Sequence, residues 1–335
     1  MLTAIGVVGA GGWGITLAKL LADKGKEVTL WCHGPESLRE LTNEKESRTY
    51  LPGIKLPPPV RLTRSLKEAV ADKSQIICVV PSHVMREVIA SASSHVSAET
   101  IVLCGTKGLE EGTLKTIGEV LVEIFGAGSK KRHAFLSGPT FALEVARGLP
   151  AAVTVAAYGA EIAIEVQETL NTQTLRVYTS TDVVGVQMGG VIKNVIAIAA
   201  GISDGLGLGQ NARAALITRG LAEMTRLAVR MGADPMTLAG LPGLGDLILT
   251  CAGDLSRNRH VGVLMAQGKT IQEITAGMKM IAEGVRNTRS VYLLARRLGV
   301  EMPIVEQMHQ VMYHGKQPSE AVRDLMQRSL KPEHT

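Results

Sequence analysis

Aromatic residues are scarce in this chain: three Phe, five Tyr and two Trp among 335 residues. Proteins that hold single-stranded nucleic acid combine aromatic stacking platforms with basic grooves, and here the longest basic run is Lys130-Lys131-Arg132. A net charge of +5 with a pI near 9.0 therefore fits a small anionic ligand, and no nucleic acid partner is expected. Cysteine is equally sparing. Cys32, Cys78, Cys104 and Cys251 show no CxxC spacing and lie in or beside apolar stretches, which argues against a disulfide framework and predicts free, buried thiols in a reducing cytosol. No HxxxH or CxxC set offers ligands to a metal, and none is expected. Internal repeats and low-complexity tracts are missing as well. The opening MLTAIGVVGAGGWG has no positive residue before Lys19, so it lacks the charged n-region of a signal peptide; a cytoplasmic protein is expected.

One long apolar run remains, Val183 to Ile202, VVGVQMGGVIKNVIAIAAGI. Its length, roughly 20 residues, suffices for a membrane span. Gln187, Lys193 and Asn194 at its centre argue against stable insertion, because a central charge is costly there. A helix buried in a soluble protein is the better reading, with Lys193 either sending its amine to the surface or held inside for a purpose.

What the chain has in excess is glycine, 36 residues. The β-branched run Thr3 to Val8 leads into Gly9-Ala10-Gly11-Gly12-Trp13-Gly14 and then into a helical pattern ending near Gly25. In a strand–turn–helix context each glycine has a physical reason, Gly9 for the tight turn, Gly11 for close approach of a pyrophosphate and Gly14 for packing helix on strand. The phosphates belong at the helix N-terminus, where unpaired amides favour anions. The GK[ST] ending of an ATP-binding loop is absent. The next strand, Glu27 to Trp31, ends in Cys32-His33-Gly34. No Asp or Glu stands where one would bond the ribose 2'-hydroxyl about 20 residues after the motif. NAD or NADP is therefore expected, with NADPH favoured slightly and His33 beside its 2'-phosphate.

Strands and helices alternate onward. A helix from Pro35 is followed by the proline-punctuated loop LPGIKLPPPV, a helix near Ser65 to Ala71, and the strand Gln75 to Val80 with Pro81-Ser82-His83 at its end. The strand Thr100 to Cys104 opens into Gly105-Thr106-Lys107-Gly108, a helix spans Thr113 to Phe125, and the strand Ala134 to Ser137 opens into Gly138-Pro139-Thr140-Phe141-Ala142. Such C-terminal strand ends face the ligand crevice in open α/β sheets. Two more strands, Ala151 to Ala156 and Leu175 to Tyr178, flank a helix; from Asp182 the pattern is helical throughout. That shift divides the chain into residues 1–186, an α/β domain with a doubly wound, mostly parallel sheet, and residues 187–335, an all-α domain. The second part holds three polar clusters: Gly243-Leu244-Gly245-Asp246, Ser256-Arg257-Asn258-Arg259 and Glu283-Gly284-Val285-Arg286-Asn287-Thr288. Asp246 could cap a helix, and the SRNR segment is either a solvated helix start or a phosphate site.

Taken together GAGGWG, VVPSH, GTKGLE, LSGPTFA, GGVIKNVIAIAAGISDGLGLGQNARAALITRGLAEM, GLGDLILTC, SRNR and EGVRNT, in that order over nearly the whole chain, resemble the bacterial-type NAD(P)-dependent sn-glycerol-3-phosphate dehydrogenases. The resemblance implies a Rossmann domain, an all-helical substrate domain, a homodimer, and interconversion of sn-glycerol 3-phosphate and dihydroxyacetone phosphate for glycerophospholipid synthesis. It implies Lys193 as the proton-transferring residue, with Lys107 and Asp246 beside it. Lys107, Gly138, Thr140, Lys193, Asp246, Ser256, Arg257 and Asn258 match substrate positions. Gly12, Trp13, His33, Lys107, Ala142, Arg257, Ile281 and Glu283 match cofactor positions. The chain departs from common members at Gly12, where Ser is frequent, and at His33-Gly34, where some carry a more basic pair. Two other readings are a β-hydroxyacid dehydrogenase, whose carboxylate substrate has no need of SRNR, and a non-catalytic NADPH-binding regulator.

Overall fold

The computed structural model describes residues 4–278 and 282–333. Ten strands are present among them: β1 (Ile5–Val8), β2 (Val28–Trp31), β3 (Glu46–Ser47), β4 (Leu51–Lys55), β5 (Val60–Thr63), β6 (Gln75–Cys78), β7 (Ile101–Cys104), β8 (His133–Ser137), β9 (Ala151–Ala157) and β10 (Leu175–Ser180). Eight of them form one sheet in the order β10-β9-β8-β7-β6-β1-β2-β5. Pairing is parallel from β5 across to β8, turns antiparallel between β8 and β9, and is parallel again between β9 and β10. β1, β2, β6 and β7 are fully buried strands, apolar except for Thr29 and Gln75, as a sheet covered on both faces demands. Chain order reverses between β1 and β6, which opens a crevice outside their C-terminal ends.

The proline-punctuated loop is more structured than its sequence suggests. Leu51–Lys55 pairs with Glu46–Ser47 as a separate antiparallel ribbon, and Val60–Thr63 forms the edge of the main sheet beside β2. Proline is tolerated in β4 because that strand is an edge, and the short β5 buries its two ends, Val60 and Thr63, with Arg61 exposed between them. The helix expected from Thr113 begins instead at Ile117, because Thr116 and Glu119 close a capping box there.

After β10 the strands cease. The helix Val183–Gly205 starts on Asp182, whose carboxylate accepts from the Gly185 N–H at 2.8 Å. Its first turn, Val183 and Val186, packs in the core on one face of the sheet. From Met188 onward its apolar residues form the centre of the helical half's own core. The helix is long and apolar enough to cross a membrane, yet here the surrounding helices bury it. Glycine allows them close: a methyl group on Gly201 would fall 1.9 Å from the Arg259 carbonyl oxygen, and one on Gly262 2.0 Å from that of Ile198. The helix Arg257–Ala266 therefore lies backbone to backbone against it. All four cysteines are free and buried.

Candidate active site

The glycine turn has the geometry of an anion cradle. Gly9 sits at φ +122°, a Cβ on Gly14 would meet the Gly9 carbonyl oxygen at 1.8 Å, and one on Gly11 would point into open space. The helix Gly12–Asp23 starts there with no side-chain cap on its amides, so they remain for phosphate oxygens. Ala142, the first residue of the helix Ala142–Ala146, packs on the same turn: Thr16 donates to its carbonyl at 3.0 Å and to that of Gly12 at 2.8 Å. A Cβ on Gly12 would lie 3.1 Å from the Tyr50 carbonyl oxygen, a crowding that suits glycine. The half-buried Trp13 sets its indole nitrogen 3.2 Å from the Cβ position of Gly105. His33 is exposed just beyond β2, tilted against Trp31 at 5.5 Å between ring centres. The backbone of Arg64 runs past the same strand end, since Cys32 N–H donates to Thr63 O at 2.8 Å and the Trp31 indole donates to Arg64 O at 3.0 Å.

Across the crevice stands Lys193. Its residue exposure is 6%, and its amine donates to Asp246 Oδ1 at 2.6 Å and to Thr250 Oγ1 at 2.7 Å. Lys107, from the loop after β7, donates to the other carboxylate oxygen, Asp246 Oδ2, at 2.6 Å and to the Gly138 carbonyl at 3.2 Å. The buried carboxylate is thus shared by two ammonium groups from opposite halves of the chain. Asp246 does not cap its helix. It is the first residue of Asp246–Ala252, directly after a π-helical turn, Leu241–Gly245, a distortion often found at functional sites. Gly189 and Gly190, one turn before Lys193, make room for this arrangement. A Cβ on Gly189 would meet the Pro242 carbonyl at 2.4 Å, and one on Gly190 would meet Ser137 Oγ at 2.9 Å and the Lys107 chain at 3.1 Å.

Burial is the main influence on Lys193 and lowers its pKa; Asp246 pushes the other way, the like charge of Lys107 lowers it further, and the balance is about 8. Burial would raise the Asp246 carboxyl, but Lys107 and Lys193 outweigh it and hold the group below the usual carboxylate range.

The SRNR segment divides its labour. Ser256 is buried and caps the helix Arg257–Ala266, accepting from Arg259 N–H at 3.2 Å. Arg257 is exposed, within electrostatic reach of Glu283 and Tyr50. Asn258 is buried; its amide donates to Asn194 Oδ1 at 2.8 Å and its oxygen accepts from Gly284 N–H at 3.0 Å. Arg259 turns away to Asp204 at 2.7 Å. Gly138, at φ +140°, and Thr140, which donates to its carbonyl at 3.3 Å, lie at the end of β8. Glu283 accepts from the Ser82 hydroxyl at 3.0 Å; burial raises its carboxyl above the ordinary range. Ile281 lies outside the described residues. No group of His, Cys, Asp and Glu suited to a metal occurs among the described residues.

Three further side chains belong to this region, and the sequence gives none of them a role. Thr250 lies four residues after Asp246 on one helix face, and Asn287 four after Glu283, a spacing that brings side chains together. Arg64 comes to the end of β2, level with Cys32, only through the pairing of β2 with β5.

Family models described as NAD-dependent glycerol-3-phosphate dehydrogenase N-terminus and C-terminus match residues 4–163 and 182–323. The glycerol-3-phosphate dehydrogenase [NAD(P)+] of Citrifermentans bemidjiense is 54% identical over 333 residues, covering 99% of each chain. That of Geobacter sulfurreducens is 50% identical over 333 residues, again covering 99% of each. A crystal structure of glycerol-3-phosphate dehydrogenase from Coxiella burnetii superposes with a TM-score of 0.93 at 40% identity, over 97% of this chain and 99% of that one. The chain belongs to the NAD-dependent glycerol-3-phosphate dehydrogenase family.

Proposed function

We propose that this protein interconverts sn-glycerol 3-phosphate and dihydroxyacetone phosphate with NAD or NADP, and that Lys193 moves the proton. The observation that carries the reading is the Lys107–Asp246–Lys193 cluster, facing the crevice beside an uncapped glycine turn. Residues 1–186 serve the cofactor in this reading, and residues 187–335 supply substrate binding and the proton. The glycine turn of Gly9, Gly11, Gly12 and Gly14, with Trp13 and Ala142, takes the pyrophosphate side. His33 and Arg64 meet a 2'-phosphate, and NADPH is slightly favoured. The bound nicotinamide supplies or accepts the hydride at the C2 carbon of the substrate.

The remaining chemistry belongs to the chain. An ammonium has three N–H donors; two of those on Lys193 are committed to Asp246 and Thr250, which leaves one for the substrate C2 oxygen. In reduction that proton goes to the developing alkoxide; in oxidation the neutral amine takes it from the hydroxyl. Lys107 supplies a second positive charge next to the reacting centre. Arg257 suits the phosphate dianion. The backbone amides behind Ser256 suit it as well. The second amide hydrogen of Asn258 completes the set, joined by the Thr140 hydroxyl when it turns from the Gly138 carbonyl.

A β-hydroxyacid dehydrogenase would not need the phosphate groups at Ser256 to Asn258, and a non-catalytic regulator would not need a buried base. The proposal includes a homodimer in the cytoplasm, feeding glycerophospholipid synthesis. Its test is steady-state oxidation of NADH and NADPH with dihydroxyacetone phosphate. Turnover is expected with either nucleotide; Lys193→Ala should keep nucleotide affinity but lose turnover by about three orders of magnitude or more. Near-normal activity in that variant would defeat the mechanism.

A further inference from the structure

Lys107 does not reach Asp246 by its own stiffness. Its loop leaves β7 through Gly105, and at Gly108 the backbone is wedged: a Cβ there would lie 2.4 Å from Ser82 Oγ and 3.2 Å from Asn287 Oδ1. The helix Glu283–Leu298 supplies one side of that wedge and holds the other. Glu283 bonds Ser82, after β6, at 3.0 Å, and Asn287, one turn later, donates to the Lys107 carbonyl at 3.1 Å. Successive turns of a helix are about 5.4 Å apart and neighbouring strands about 4.8 Å. One face of this helix therefore fits the ends of two adjacent strands, β6 and β7. The same Asn287 amide also lies 3.4 Å from the Val191 carbonyl, two residues before Lys193. Asn287 is 1% exposed and touches the backbones that carry both lysines.

We infer that Asn287 is a positioning residue for the reaction: its carboxamide sets the distance between the Lys107 loop and the Lys193 helix, and so fixes where the Lys107 amine stands at Asp246. The inference rests on the proposed role of Lys107. Once released, the loop lets the Lys107 amine move away from Asp246 and Lys193. The groups facing Lys193 are Asp246, Lys107 and Cys251, and of these only Lys107 and Asp246 change. A more distant like charge, and a carboxylate no longer shared, both favour protonated Lys193.

The test uses the full-length enzyme and its two substrates. Asn287→Asp keeps the size but removes the donor, and Asn287→Ala removes the group. Either should lower kcat/KM by between about tenfold and about a hundredfold, as displacements of this order do. Each should also move the pH at which glycerol 3-phosphate oxidation is half-maximal upward. In a Lys107→Ala background the same substitutions should cost little more, since a residue that acts through Lys107 has nothing left to position. Equal losses with and without Lys107, an unmoved pH profile in a folded variant, or the loss of cooperative melting in both variants would each overturn the inference. Near-normal activity of Lys107→Ala alone would instead overturn the role of Lys107.

Discussion

At the scale of residues, the site is a problem in charge compensation. Asp246 is 1% exposed and serves two ammonium groups. Breaking a buried ion pair on one side leaves an uncompensated charge. Asp246→Asn should therefore destabilise the fold by about 3 kcal/mol, measured by denaturant unfolding. It should also shift Lys193 toward its neutral form, since the group that raises its pKa is gone. A second residue sets acid sensitivity. His133 is fully buried, neither ring nitrogen has a partner among the described residues, and burial, aided by Arg132, lowers its pKa to about 4. With its folded pKa depressed, the unfolded chain binds the proton more readily, so stability falls as pH drops from 6.5 toward 4. From this group alone, about 2 kcal/mol should be lost between pH 7 and pH 5. His133→Leu should remove that part of the pH dependence in parallel unfolding curves. Such residues differ in how visible they are in sequence. Lys193 stands out because it is a charge in an apolar run, whereas His133 at the start of β8 has no pattern to mark it.

Among the elements, the seam between Val183–Gly205 and Arg257–Ala266 decides where Arg257 and Asn258, the proposed phosphate partners, sit. Gly262→Ala would put a methyl 2.0 Å from the Ile198 carbonyl, which is backbone and cannot yield. The two helices must then separate, at a cost of about 1–3 kcal/mol. Because Arg257 and Asn258 open the displaced helix, KM for dihydroxyacetone phosphate should rise more than KM for the nucleotide. Most of the elements were legible: buried strands read as continuous apolar runs, and the glycine turn announced its helix. β4 and β5 were not, because prolines and short length mask strands that form only as edge partners. The π-helical turn before Asp246 was also beyond reach, since Leu241-Pro242-Gly243 reads simply as a turn.

For the molecule as a whole, the two halves meet at the shared carboxylate of Asp246, and the pH behaviour of the proposed proton transfer follows from Lys193. With a pKa of about 8, the amine is protonated at neutral pH. Reduction of dihydroxyacetone phosphate should therefore hold its rate up to that pH and fall above it, whereas glycerol 3-phosphate oxidation should rise through the same range. Initial rates from pH 6 to pH 10 in both directions, about two units either side, check the sign. The change from alternating strands and helices to helices alone was legible in the sequence. The resemblance put Lys107 and Asp246 beside Lys193, but that each ammonium takes one oxygen of the same carboxylate depends on how the halves dock and is not written in residue spacing.

That docking also has a direction in time. Lys107 precedes its carboxylate by 139 residues, and Ser82 precedes Glu283 by 201. Chains leave the ribosome N-terminus first and fold domain by domain. The sheet can therefore form while the loops after β6 and β7 still face water, with their polar groups hydrated. The crevice closes only once the last third of the chain has been synthesised, so a truncated nascent product could hold the nucleotide cradle yet be unable to turn over substrate.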